Sequence, residues 1–260
     1  MNIALIWDYV WRNALMQLRH RHAGSLFGPL WLLLSPLAQI TIYSPVFTRI
    51  METRITAPGG LSLSFTLYLC AGLMPWVAFS EHIGRAQTVL IQNASYILNT
   101  ALPEQVLVLR DALETYLLAL LSIILVLGFS LLLGNAFSFS WLVLPVVILL
   151  LSTLALGIGT FVAVLSVFLR DLGPILSLIL RLWFWITPIV YVPSVLPESL
   201  QRIVHWNPVF PYIHVTQRVV LYGEYPNGAE WLAMAGIAAV ALSIGFGALR
   251  YLRNDLRDVL

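Results

Sequence analysis

Lysine is missing altogether: all 14 cationic side chains of this 260-residue chain are Arg. A P-loop nucleotide site places a Lys against the β- and γ-phosphates, so this chain cannot cleave ATP in that way itself. Any ATP-driven work needs another chain to supply the ATPase. Cysteine is nearly as scarce. Cys70 stands alone in an apolar run, which excludes a disulfide or a Cys-based metal site within one chain. Charge is sparse as well: charged residues make up 10% of the chain and apolar ones 60%, where soluble domains are roughly a quarter charged. No basic block points to nucleic acid, and the net charge is only +2. The 12 Asp and Glu are scattered without the spacing of a catalytic or metal-binding pair. His20 and His22 flank Arg21, which makes them poor metal ligands. The composition therefore points away from an enzyme and from a metal protein.

What the chain has is apolar length, with a mean hydropathy of +0.88. Crossing roughly 30 Å of hydrocarbon takes about 20 apolar residues. Six stretches reach that length: 28–47, 61–82, 112–133, 141–168, 174–195 and 231–252. The expected fold is an all-α polytopic membrane protein, with six transmembrane helices in a single domain over 1–260. Along a six-span path, Arg12, Arg19, Arg21, Arg85, Arg110, Arg170, Arg250, Arg253 and Arg257 fall on one side. Arg49, Arg54, Arg202 and Arg218 fall on the other. That asymmetry predicts both termini in the cytoplasm. The first apolar run has no small-residue cleavage site behind it, so it is expected to remain as an uncleaved span.

Residues 1–27 read as an interfacial amphipathic helix. Ile3, Trp7, Trp11, Ala14 and Leu18 recur at helical spacing, and Asp8 and Arg12 can pair one turn apart. Residues 84–111 form the longest loop on the side of the termini. Glu81 with Arg85, and Arg110 with Glu114, have the spacing of intrahelical pairs there. Asn93 is placed to cap a short helix and Pro103 to start the next one. Tyr96, Ile97 and Leu98 on that short helix are expected to be exposed and to need a partner. Span four carries small residues at Ser152, Ala155, Gly159, Ala163 and Ser166, and span six at Gly236, Ala239, Ser243 and Gly247. Such faces suit close helix packing in lipid, or are ordinary membrane composition. The outer segment 191–230 is rich in Pro, Trp and Tyr, and 200–204 and 213–222 are candidate re-entrant helices. Arg181 lies inside the fifth span, where it either snorkels or faces a polar pathway.

Several local patterns, taken in order, resemble a known family. They are Gly28-Pro29-Leu30-Trp31, Ser35-Pro36-Leu37, Gly72-Leu73-Met74-Pro75-Trp76, Asn93 through Leu102-Pro103, Leu169-Arg170-Asp171-Leu172, Thr187-Pro188-Ile189-Val190-Tyr191, and Trp206-Asn207-Pro208 with Arg218 downstream. In order and spacing the chain resembles the permease subunit of type-2 ABC exporters for O-antigen, capsule or teichoic-acid polymers, the Wzm-like group. It departs at Asn99-Thr100 and Leu102-Pro103, where relatives often carry a basic pair and Phe-Pro.

The resemblance implies a channel formed by two copies of this chain in the bacterial inner membrane. Two copies of a separate P-loop ATPase, carrying the ATP and Mg, would dock on Tyr96, Ile97, Leu98 and Pro103; the chain itself would hold no cofactor. The implied cargo is a polysaccharide linked to a polyprenyl diphosphate. Arg19 and Arg21 would admit the diphosphate, since Arg can grip it with parallel hydrogen bonds, unless they serve topology alone. Trp31, Tyr43, Phe47, Trp183, Phe184, Trp185 and Tyr191 are candidates to line a sugar path by stacking; their alternative role is an aromatic belt or plain packing. A drug or another lipid as cargo, or a membrane enzyme acting on polyprenyl-linked sugars, are the competing readings.

Overall fold

The computed structural model describes residues 3–20, 30–31, 34–39, 41–42, 54–56, 62–99, 103–169, 171–193 and 196–260. Helix α1 spans Ile3–His20. Residues 34–39 and 41–42 are helical within the first apolar run. A short antiparallel hairpin, β1 (Arg54–Thr56) and β2 (Ser62–Ser64), pairs Arg54 with Ser64. It leads into α2 (Phe65–Gln92), α3 (Ala94–Asn99) and α4 (Glu104–Leu132). A 3-10 turn (Phe139–Val143) then opens α5 (Leu144–Phe168), followed by α6 (Leu172–Ile186). Beyond it lie α7 (Glu198–His205), α8 (Phe210–Tyr222), α9 (Gly228–Tyr251) and α10 (Arg253–Val259).

Among the described residues, three helices are long and apolar enough to cross a membrane: Glu104–Leu132, Phe139–Phe168 and Gly228–Tyr251. Helix α2 is as long, but Pro75, Trp76, Glu81 and His82 lower its hydropathy. It is the central element, buried on most of its turns between α4, α5 and α8. Helix α6 stops at Ile186, well short of the expected span end at 195. Thr187-Pro188 is the cause, because proline pushes the residue before it out of helical geometry. At 15 residues α6 covers about 22 Å, too short to cross alone. Helix α4, at 29 residues, is about 43 Å long, so its first turns project beyond the hydrocarbon.

The expected span-four face is largely buried and packs on α2 at Gly159, but backbone-to-backbone contact lies at other glycines. A Cβ on Gly157 would run into the backbone of Ala241, and one on Gly245 into the carbonyl of Gly157, so α5 and α9 meet backbone to backbone. Gly236 and Gly247 of the expected span-six face look into open space. Gly159 faces His82 and Ala86 of α2 instead of span six. Small residues occur on several faces of both helices, and spacing alone does not say which face meets which neighbour.

The loops flanking α7 are stitched by one amide. Asn207 donates to Thr187 Oγ1 at 2.8 Å and accepts from Trp183 Nε1 at 2.8 Å and from the Val209 N–H at 3.0 Å. It thereby ties the Thr187-Pro188 break to the turn that starts α8. Arg218 pairs with Glu230 at 2.7 Å and Glu224 at 3.2 Å, holding α8 against the capping-box start of α9.

Candidate functional site

The opposite end of the molecule gathers both chain ends and the short helix α3. Val89, Leu90, Ile97, Leu107, Val108, Ala163, Val164, Leu249 and Leu256 form a separate buried cluster there. Ile97 is therefore turned inward and buried, which corrects the expectation that it is exposed. Tyr96 and Leu98 remain exposed on the other side of the same helix. The Tyr96 and Tyr9 hydroxyls are 2.9 Å apart, which links α3 to α1. Asn93 does stand at the start of α3, but its side chain donates back to the Val89 carbonyl at 2.7 Å; its own carbonyl accepts from the N–H groups of Tyr96 and Ile97. Pro103 precedes α4 in extended geometry.

Glu104, the first residue of α4, is buried, and its carboxylate takes Arg253 at 3.1 Å and Arg257 at 2.8 Å. Burial alone would push its carboxyl up; its helical N–H and the two guanidinium hydrogen bonds outweigh that and hold it below the ordinary range. Leu256 of α10 is buried beside this pairing. A groove of about 610 Å³ opens next to α3, lined by Gln87, Ile91, Ala94, Phe168, Leu169 and Val259.

One turn deeper, α2 and α4 share an ion-paired node. Arg85 donates to Glu114 at 3.0 Å and to the Thr115 hydroxyl, with Asp111 Oδ1 3.5 Å from its Nε. Buried His82 places Nδ1 3.1 Å from Asp111 Oδ2. The sequence predicted pairs within each helix, yet Arg85 reaches across to α4. A charge near the membrane is costly unless paired, and the neighbouring helix supplies the carboxylates. A polar face one residue type at a time gives no sign of this, whereas Asp111 and Glu114 at helical spacing opposite His82 and Arg85 would.

Of the seven residues expected to line an aromatic path, five are described. Trp31 is partly exposed and lines a cavity of about 220 Å³ with Ser35, Gln39, Met74, Glu81 and Ser122. Tyr43, Phe47 and Arg21 lie outside the described residues, and Arg19 is described only through its place in the last turn of α1. Trp183 and Phe184 are half-buried against α2: Trp183 stands edge-on to Phe79 at 5.4 Å, and Phe184 lies 6.0 Å from Trp76. Trp185 is 65% exposed. Tyr191 donates its hydroxyl to the carbonyls of Trp185 and Ile186, closing the end of α6. On α6 only Leu176 is fully buried, while Ile175, Leu178, Ile179, Leu182 and Ile186 are exposed beside Trp185.

Long apolar helices, an amphipathic first helix and polar networks confined to the two ends describe an integral membrane protein. The chain belongs to the ABC-2 type transporter family, whose pattern it matches over residues 5–221. It is 27% identical over 261 residues to the O-antigen export system permease protein RfbA of Klebsiella pneumoniae, covering 100% of this chain and 97% of that protein. A protein of the same name from Myxococcus xanthus is 27% identical, with 87% and 85% covered. The polysialic acid transport protein KpsM of Escherichia coli is 26% identical over 238 residues, covering 91% of this chain and 90% of that protein.

Proposed function

We propose that this chain is the permease subunit of an ATP-driven exporter that moves a cell-surface polysaccharide across the bacterial inner membrane. The observation that carries this reading is kinship over nearly the whole chain with permeases for O-antigen and polysialic acid. The chain crosses the membrane six times with both termini in the cytoplasm; the Arg asymmetry supports this, as does the meeting of α1 and α10 with α3 at one end. Two copies pair around a conduit, with α6 on the shared side. Arg181 supports that placement: it is exposed on an apolar helix, and a guanidinium costs least against water or a partner.

A separate P-loop ATPase, which holds the ATP and Mg, docks on α3 through Tyr96 and Leu98 and the adjoining groove. The cargo is linked to a polyprenyl diphosphate, admitted near Arg19 and Arg21, and its sugars pass Trp31 and Trp185. Deleting the gene and measuring surface glycan together with cytoplasmic lipid-linked polymer tests the reading. Loss of surface glycan with accumulation of lipid-linked polymer is expected. Unchanged surface glycan would mean a different cargo.

A further inference from the structure

A polar cavity of about 470 Å³ lies under α1, between the ends of α2 and α4. Its wall carries Gln17, Arg85, Asn93, Arg110, Asp111 and Glu114. Four buried atoms on that wall make no hydrogen bond: Gln17 Oε1, Arg85 Nε, Arg110 Nε and Asp111 Oδ2. Two of them still face an opposite charge, Arg85 Nε at 3.5 Å from Asp111 Oδ1 and Asp111 Oδ2 at 3.1 Å from His82 Nδ1, which leaves Gln17 Oε1 and Arg110 Nε. Buried polar groups are almost always satisfied, so two unpartnered atoms, Gln17 Oε1 and Arg110 Nε, on one polar cavity mark the place of an occupant.

The orphans specify its chemistry. The Arg110 guanidinium N–H calls for an anionic acceptor, with Arg85 on the same wall. The Gln17 oxygen calls for a donor, and the Asp111 and Glu114 carboxylates beside it favour a positive one. An inorganic phosphate would meet the Arg groups but face two carboxylates. A simple cation would leave the Arg110 N–H unpaired. A group that carries phosphate and primary ammonium together answers both halves. The depth fits a lipid headgroup. The first turns of α4 project beyond the hydrocarbon, and α1 presents exposed Trp7 and Trp11, residues suited to the headgroup layer.

We propose that this cavity binds the phosphoethanolamine headgroup of a membrane phospholipid, with the phosphate on Arg85 and Arg110 and the ammonium on Gln17 and the carboxylates. The bound lipid is a wedge between α1 and the α2–α4 pair. It is separate from any transported cargo, whose diphosphate end carries no ammonium.

The test uses the detergent-purified full-length complex. It is exposed in turn to mixed micelles of phosphatidylethanolamine, phosphatidylcholine and phosphatidylglycerol, and retained lipid is measured by mass spectrometry after gel filtration. Phosphatidylethanolamine should be retained about tenfold over the other two, the ratio that one well-made charged contact supports. Phosphatidylcholine keeps the phosphate and positive charge but lacks N–H donors, and phosphatidylglycerol lacks the amine. Gln17→Leu should erase the preference over phosphatidylglycerol. Arg110→Gln should lower retention of all three. Equal retention of the three lipids, or a preference that survives both variants, overturns the proposal. So does release of the lipid by millimolar inorganic phosphate or by polyprenyl diphosphate, which would assign the cavity to free phosphate or to cargo. Retention no higher than that of a soluble control protein means water alone fills it, and equally overturns it. If Arg110→Gln fails to assemble, Gln17→Leu on the half-buried face of α1 decides alone.

Discussion

The α5–α9 seam and the surface of α6 are made of the same apolar residue types and end in opposite states. At the seam, Gly157 and Gly245 let two backbones touch, and no room is left between them. On α6, Leu176 is buried and Leu172, Leu180, Trp183 and Phe184 are half-buried, while Ile175, Leu178, Ile179, Leu182, Trp185 and Ile186 are open to the surroundings. In lipid, exposure alone decides nothing, because acyl chains are as apolar as Leu. The deciding residue is Arg181, exposed among those apolar side chains, which lipid would penalise. The seam is complete within one chain. In the proposed reading the α6 surface is completed by a second copy, whereas a snorkelling Arg181 would leave it to lipid.

The largest effect that would break this contrast is expected at the seam. Gly157→Leu places a side chain where the Ala241 backbone stands, and should cost about 3 kcal/mol or more. Membrane yield and a monodisperse gel-filtration peak should both be lost. Gly159→Leu should cost less, because it meets the His82 ring and the Ala86 Cβ rather than a neighbouring backbone. Gly236→Leu opens onto free space and should be tolerated. Equal behaviour of all three variants would mean that α5 and α9 do not touch as described.

The α6 side of the comparison is sharpened by cross-linking. Cys70 is the chain's only cysteine, so Cys70→Ala gives a clean background. In it, Leu182→Cys should form a disulfide-linked pair of chains on mild oxidation in membranes. Tyr251→Cys, exposed at the far end of α9, should not. The reverse pattern would move the shared surface from α6 to α9.

At the α3 end the contrast is within a single short helix. Tyr96→Asp with Leu98→Asp should release the ATPase while insertion is retained, since each buried anchor contributes about 1.5–3 kcal/mol. Ile97→Asp should instead destabilise the permease itself, because Ile97 belongs to the internal cluster. Co-purification of the ATPase in unchanged ratio with the double variant would place docking elsewhere, such as on α1 or the turn at Asp171.

How much of this was legible in the sequence depended on the length of the signal. Helices α4, α5 and α9 were plain because 20-odd apolar residues admit few alternatives. The early end of α6 was written in Thr187-Pro188, but the continuing apolar run through Val192 masked it. The exposed state of Tyr96 and Leu98 was readable; the inward turn of Ile97 was not, since three consecutive apolar residues on a six-residue helix give no periodicity. Pairing across helices went unread for a different reason. Arg85 with Asp111 and Glu104 with Arg253 and Arg257 join positions far apart in the chain, and local spacing suggested nearer partners.

The smallest expected effect concerns that last pairing, and it compares a charge clamp with the apolar cluster beside it. Glu104→Gln keeps the size and some hydrogen bonding but removes the charge shared by Arg253 and Arg257. Both Arg side chains are more than a third exposed, so solvent screening limits the loss to about 1–2 kcal/mol. The sign of the pH effect follows from the depressed carboxyl. Its stabilising contribution is present above the ordinary carboxylate range near 4.5 and is lost as pH falls through its lower folded value. Thermal unfolding of the purified permease should therefore differ between wild type and Glu104→Gln at neutral pH, and the two curves should converge as the pH falls through the lowered carboxyl value. A gap that persisted in acid would show that Glu104 acts through packing with Leu256 rather than through its charge.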